Sequence, residues 1–185
     1  MRLGIDVGKA RIGVARSDVH GMLATPLETV DRDPREFGDV RRILAIANEL
    51  EVMELVVGLP LGMSGHRTPS TEDAQGFAET LARAISDASI RTGGENTSAG
   101  VRLVDERLST VTAQGQLRQA GKKTKQTRNI IDQAAAVVIL QHALDYERAR
   151  GEAPGTVLLE PSEQRTAQNT QKLAADHDIT GGDQG

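Results

Sequence analysis

Leu3, Ile5 and Val7 alternate with Gly4, Asp6 and Gly8, the period-two pattern of a strand with one buried face. Gly8-Lys9-Ala10-Arg11 reads as a turn, Ile12 to Ser17 as a second strand, Asp18-Val19-His20-Gly21 as another turn, and Met22 to Val30 as a third strand. Connections this short predict an antiparallel meander. The period then changes. Asp33-Pro34-Arg35-Glu36 offers an N-cap, a proline at the first helical position and a capping-box glutamate. Val40, Ile43, Leu44, Ala47 and Leu50 follow at helical spacing. Leu55-Val56-Val57-Gly58-Leu59 is a continuous apolar run, as expected of a buried parallel strand. Pro60 to Pro69 reads as a loop, and Ser70-Thr71-Glu72-Asp73 as the cap of a helix with Phe77, Leu81 and Ile85 on one face. Gly93 to Gly100 reads as a flexible connection and Val101 to Asp105 as a fifth strand. A helix near Ser109 to Ala120, a basic loop, and a helix near Ile130 to Glu147 follow.

This order predicts one α/β domain over residues 1–150. Its sheet would be mixed and five-stranded, with three antiparallel strands, then strands added through helical crossovers, and helices flanking it. Ligands in such sheets gather near the carboxyl ends of the central strands, where Asp6 and Glu106 fall. Beyond Gly151 the chain is polar with only brief apolar pairs, so residues 151–185 are expected to be a disordered acidic tail.

Charge alters the picture only when divided by region. The 185 residues carry a net charge of −4. The tail accounts for it, with six acids against Arg165 and Lys172, so the first 150 residues are neutral. Within them Arg107, Arg118, Lys122, Lys123, Lys125 and Arg128 form a basic stretch that contains no acid up to Ile131. Such a patch suits a polyanion, although it also reads as a solvated lysine-rich loop. One tyrosine, two phenylalanines and no tryptophan argue against a base-stacking platform. There is no cysteine, which excludes disulfides and thiolate metal sites. No segment approaches the roughly 18 apolar residues of a membrane span, and the first residues enter a strand at once, so a cytoplasmic protein is expected.

Asp6 is the sharpest chemical signal. It stands on its strand face between Gly4 and Gly8, a bare surface on which a metal and a phosphate could approach the backbone. The glycines would also suit a bulge or tight turn, but a mid-strand carboxylate without a partner is costly. Asp105-Glu106-Arg107 closes the fifth strand, and alternation sends Glu106 and Asp105 to opposite faces. Taken alone, that tripeptide reads as a polar strand end with a local ion pair. Asp132 lies in the first turn of the last helix, where the dipole favours an acid. Ala135 and Ala136 on the same face equally suit close packing beside a metal site.

Four segments together carry a resemblance. They are Leu3-Gly4-Ile5-Asp6-Val7-Gly8 with Arg11-Ile12-Gly13-Val14-Ala15, Val57-Gly58-Leu59-Pro60, Asp105-Glu106-Arg107-Leu108-Ser109-Thr110, and Ile131-Asp132-Gln133-Ala134-Ala135. In this order, across residues 2–146, they resemble the YqgF family. These are Holliday-junction-resolvase-like proteins of RNase H fold, regarded as nucleases for the 5′ end of pre-16S ribosomal RNA. The resemblance implies that Asp6, Glu106 and Asp132 form an acidic cluster that is both catalytic and metal-binding, with Mg²⁺ or Mn²⁺ as cofactor. Junction resolvases of this fold carry a further acid one turn beyond the last, where this chain has Ala135. Three carboxylates are then expected, with Asp105 as a possible supplement.

The expected chemistry is phosphodiester hydrolysis with hard cations held by oxygen ligands. Lys9 and Arg11, beside Asp6, are candidate phosphate contacts with Arg107 and the basic stretch; Arg67 is a weaker one. The expected partner is structured RNA such as pre-rRNA, or branched DNA, within pre-ribosomal particles and away from membranes. Two alternatives are a Holliday-junction resolvase and a non-catalytic ribosome-assembly protein that binds nucleic acid. A sugar-kinase or actin-like ATPase would need a second domain that nothing after Gly151 supplies.

Overall fold

The computed structural model describes residues 1–87, 98–108 and 125–161, with side chains in the last segment described from Asp132 onward. The expected helix near 109–120 and the positions of Arg118, Lys122 and Lys123 lie outside these residues. Lys125 and Arg128 fall within a helix, but their side chains also lie outside what is described.

Three strands open the chain, β1 (Arg2–Val7), β2 (Arg11–Ser17) and β3 (Ala24–Asp31), paired antiparallel in succession. Helix α1 (Gly38–Glu49) leads to β4 (Glu54–Leu59), and α2 (Pro69–Ser86) precedes β5 (Gly100–Asp105). Both strands run parallel within the sheet, β4 beside β1 and β5 beside β4. A 3-10 turn (Glu106–Leu108), helix α3 (Lys125–Arg150) and β6 (Thr156–Leu159) complete the described chain. The sheet order is β3-β2-β1-β4-β5-β6.

Alternation sorts the layers. Leu3, Ile5, Ile12, Val14, Leu55, Val57, Val101 and Leu103 pack in one core with Val40, Ile43 and Leu44 of α1 and Phe77, Ala78 and Leu81 of α2. The opposite face carries Ala15, Val56 and Val104 against Ala136, Ile139, Leu140 and Leu144 of α3. Asp6, Gly4 and Gly13 lie on that second face.

The elements differ from expectation in five places. The β2–β3 turn is longer, because the Asp18 carboxylate accepts from the Met22 and Leu23 N–H groups (2.6 and 3.1 Å) and β3 starts only at Ala24. Asp33 accepts from Glu36 and Gly38, but this caps a separate turn, and α1 begins at Gly38 after Phe37 adopts a left-handed conformation (φ 56°). The cap of α2 is Thr68, whose hydroxyl accepts from Thr71 N–H ahead of Pro69 at the first helical position, two residues before Ser70. Helix α3 starts at Lys125, ahead of the expected Ile130. Finally, the sheet has six strands. The sixth lies in the expected tail: Thr156, Val157 and Leu159 pair with Leu103, Arg102 and Val101. Leu158 and Leu159 pack against the core, which repays the ordering of so short a strand. Residues from 162 onward lie outside the described ones.

Candidate nuclease site

Asp6 is the penultimate residue of β1, half-buried on the face covered by α3. Cross-strand pairing places Gly13 beside it on β2. On the other side, the parallel register that matches Ile5 with Val57 puts Gly58 next in line. Gly58 pairs with Val104 of β5, and the chain then turns through Glu106. The Glu106 Oε1 atom lies 2.7 Å from where a Gly58 β-carbon would stand. Asp6 and Glu106 therefore flank Gly58, onto which Ile139 of α3 also packs, on one face of the sheet at the carboxyl end of its parallel strands.

Asp132 reaches the same face from α3. Its main-chain carbonyl rests directly on Gly13. Gln133 beside it donates to the Thr29 hydroxyl (3.1 Å), and Thr29 is the β3 partner of Gly13. The Asp132 side chain is turned to Arg11, with Nε 3.2 Å from Oδ2. That oxygen is buried and has no hydrogen-bond partner of good geometry, so the contact is an ion pair without alignment. Among the described residues no three acidic or histidine side chains are gathered closely enough to hold an ion. The structure thus brings Asp6 and Glu106 to one face and places the backbone of Asp132 above it, with its carboxylate engaged by an arginine.

The glycines beside Asp6 serve a different purpose from the one expected. A β-carbon on Gly4 would stand 2.6 Å from Leu140 Cβ and 2.7 Å from the Ala136 carbonyl, so α3 fills that space. One on Gly8 would stand 2.7 Å from the Arg11 carbonyl, which closes the turn. Neither leaves room for a ligand. Ala136 is likewise fully buried against the sheet. Gly58 is filled in the same way, with Ile139 Cδ1 of α3 2.5 Å from its β-carbon position, and sequence reasoning singled out neither it nor Gly13. The signal was available, since a glycine inside an apolar strand marks a close approach.

Asp105 and Arg107 form the expected local pair. Arg107 donates from Nη2 (2.7 Å) and from Nε (3.1 Å) to the Asp105 carboxylate, and its N–H adds a third bond (2.9 Å). These side-chain bonds, foremost, hold the Asp105 carboxyl below its ordinary range. Asp105 is committed to Arg107 and points away from Glu106. The loop after β4 folds over this pair: Gly62 N–H donates to the His66 carbonyl (2.9 Å), and Gly65 passes beside the Arg107 guanidinium. Lys9 and Arg67 are exposed near this end of the sheet. A cleft of about 310 Å³, lined by Met1, Ser17, His20 and Met22 among others, contains none of the three acids and lies at the opposite end.

A family model described as "RuvX: Holliday junction resolvase" matches residues 1–146. The chain belongs to the RuvX family. A relative from Clavibacter michiganensis subsp. michiganensis, named "Putative pre-16S rRNA nuclease", is 58% identical over 157 residues, covering 85% of this chain and 90% of that protein. One from Leifsonia xyli subsp. xyli with the same name is 54% identical, covering 84% and 92%. Among solved structures, Thermus thermophilus RuvC in complex with a Holliday junction substrate superposes with a TM-score of 0.52 at 17% identity, covering 83% of this chain and 98% of that one. This likeness shows the fold, which is RNase H-like. Membership makes this RuvX-family chain a nuclease, a hydrolase acting on ester bonds. Among its described residues no helix is long and apolar enough to cross a membrane.

Proposed function

We propose that this nuclease acts in the cytoplasm on the 5′ end of pre-16S ribosomal RNA and uses Mg²⁺ or Mn²⁺ held by Asp6, Glu106 and Asp132. The carrying observation is the row in which Asp6 and Glu106 flank Gly58, whose missing side chain admits the Glu106 carboxylate, on the face covered by the Asp132 end of α3. An all-carboxylate donor set fits a hard divalent cation, and the buried Asp132 Oδ2, held by Arg11 in an ion pair without a hydrogen bond, could exchange that partner for an ion. When bound, such an ion lowers the pKa of a coordinated water and offsets charge on a phosphoryl oxygen.

The chain's own residues do the rest. Asp6 and Glu106 supply fixed negative charge at the strand ends, where a water can be oriented toward a phosphorus. The absence of a side chain at Gly58 leaves room for the Glu106 carboxylate beside Asp6. Arg11 neutralises Asp132 in its present pose, and its guanidinium has the fork geometry to turn to a phosphate oxygen. Lys9 and the stretch of Arg118, Lys122, Lys123, Lys125 and Arg128 supply further phosphate contacts, which position nucleic acid without reading its sequence. Arg107 presents what its pair with Asp105 leaves available.

The relatives' names favour pre-rRNA, and the family description makes four-way DNA the second substrate to test. The purified chain should cleave a labelled RNA that spans the 5′ end of 16S, in Mn²⁺ or Mg²⁺ and not in EDTA. Faster cleavage of a four-way DNA junction would move the assignment to junction resolution. Tight binding with no cleavage of either substrate would leave a ribosome-assembly protein.

A further inference from the structure

Arg32 follows the end of β3, outside the row of acids, yet its guanidinium ties the turn that adjoins them to the starts of α1 and α2. Its Nη1 donates to the Gly8 carbonyl (3.1 Å), and its own N–H donates to the Ala10 carbonyl (3.0 Å). Nη1 and Nη2 form a fork with the two oxygens of Asp73 in the first turns of α2, each 3.1 Å away. Nε donates to Asp39 Oδ2 (3.2 Å) at the start of α1, and the group lies over the Phe77 ring at 5.2 Å. Asp39 is 2% exposed and also accepts from the Asp33 and Val40 N–H groups.

Taking an arginine and a carboxylate out of water is expensive, and apolar side chains would hold two helices together at less cost. What an apolar side chain cannot do is hold the Gly8 carbonyl, which the guanidinium fixes while the main-chain N–H of the same residue holds that of Ala10. Residues Gly8 to Arg11 begin two positions after Asp6 and end on the arginine that holds Asp132. We infer that Arg32, braced by Asp39 and Asp73, is a positioning residue that sets this turn and so the placement of Asp6 and Arg11 relative to Asp132. The inference rests on the proposed role of Asp6. A lysine cannot replace the fork: its three donors share one nitrogen, which cannot span the Gly8 carbonyl, both Asp73 oxygens and Asp39 as three separate guanidinium nitrogens do.

The test compares Arg32→Lys, Asp73→Asn and Asp6→Asn in the full chain. The readouts are kcat and KM for the RNA substrate and amide exchange across residues 8–12. Arg32→Lys should lower kcat by about tenfold or more, as a misplaced group does. Its KM should stay within about threefold, since the phosphate contacts persist. Exchange at the Gly8 and Arg32 amides should quicken while Val56 and Leu81 stay protected. Asp73→Asn, at a partly exposed position, should act in the same direction more weakly, and it decides the matter if Arg32→Lys does not fold. Wild-type kcat and exchange in the arginine or aspartate variant, with Asp6→Asn inactive, would overturn the positioning role. An active Asp6→Asn would instead overturn the site on which it rests, while the exchange data still report whether Arg32 holds the turn.

Discussion

The carbonyl oxygen of Asp132 occupies the space in which a side chain on Gly13 would have to lie. The contact joins main chain to main chain, so neither partner can yield by a rotamer change. Gly13→Ala should therefore lift the start of α3 from the sheet and cost roughly 1–3 kcal/mol, as overpacking does. Urea unfolding measures the loss, and cleavage should fall with it because Asp132 moves. Wild-type stability in this variant would show that α3 does not sit on Gly13.

Asp6→Asn is nearly isosteric and should fold. Loss of a supporting residue around a metal ligand already costs 10–100-fold, so loss of a ligand should reduce cleavage by at least about 100-fold. RNA binding should persist through the basic residues. Glu106→Gln should behave alike. Asp105→Asn should be much milder, because Asp105 faces away and serves Arg107. Equal losses from Asp105→Asn and Glu106→Gln would contradict the assignment of faces.

Chains ending after residue 161 and after residue 150 should differ. The shorter one lacks β6, exposes the outer edge of β5, and uncovers the core beside Leu158 and Leu159. Two partly buried leucines are worth roughly 2 kcal/mol together. Thermal or urea unfolding should place the longer chain near wild type and the shorter one well below it. Identical stabilities would mean that β6 contributes nothing.

Acid should weaken the Arg2–Glu147 pair. Hydrogen bonding from Arg2, foremost, holds the Glu147 carboxyl below its ordinary range. Its contribution is thus complete above the unfolded value of about 4.3 and is lost as pH falls through the lower folded one. Glu147→Gln should cost under about 1 kcal/mol near neutral pH, since water screens a partly exposed pair. The gap between variant and wild type should close below about pH 4. A gap that widened in acid would reverse the sign.

Replacing Lys122, Lys123 and Lys125 with glutamate should weaken binding to RNA and DNA alike. Each lost phosphate contact should reduce the magnitude of the log–log salt slope by roughly 0.7–0.9. An unchanged slope would identify these lysines as solvated surface.

Several features were legible in the chain because they depend on neighbours in sequence. Period-two alternation in Leu3 to Val7 and in Val101 to Asp105 correctly placed Asp6 and Glu106 on faces, since successive side chains in a strand must point oppositely. The helical spacing of Val40, Ile43 and Leu44 and of Phe77, Leu81 and Ile85 identified two core-facing helices. The Asp105-Glu106-Arg107 tripeptide announced its own ion pair. Elsewhere local signals competed, as at Asp33 and Ser70, where the pattern of a cap is real but Phe37 and Thr68 end the competition one turn or two residues away.

Tertiary structure alone decided the rest, because each remaining feature depends on segments far apart in sequence. Thr156 to Leu159 is too short to announce a strand and becomes one only beside the free edge of β5. Gly4 reads as space for a ligand or as a turn residue until α3 is laid across it, more than 115 residues later. Arg11 finds Asp132, and Arg32 finds Asp73, only after the sheet has brought both pairs together. Sequence fixes which face a side chain takes, because that follows from backbone geometry one residue at a time. Which partner it meets there depends on how the helices cross the sheet, and that is settled by packing.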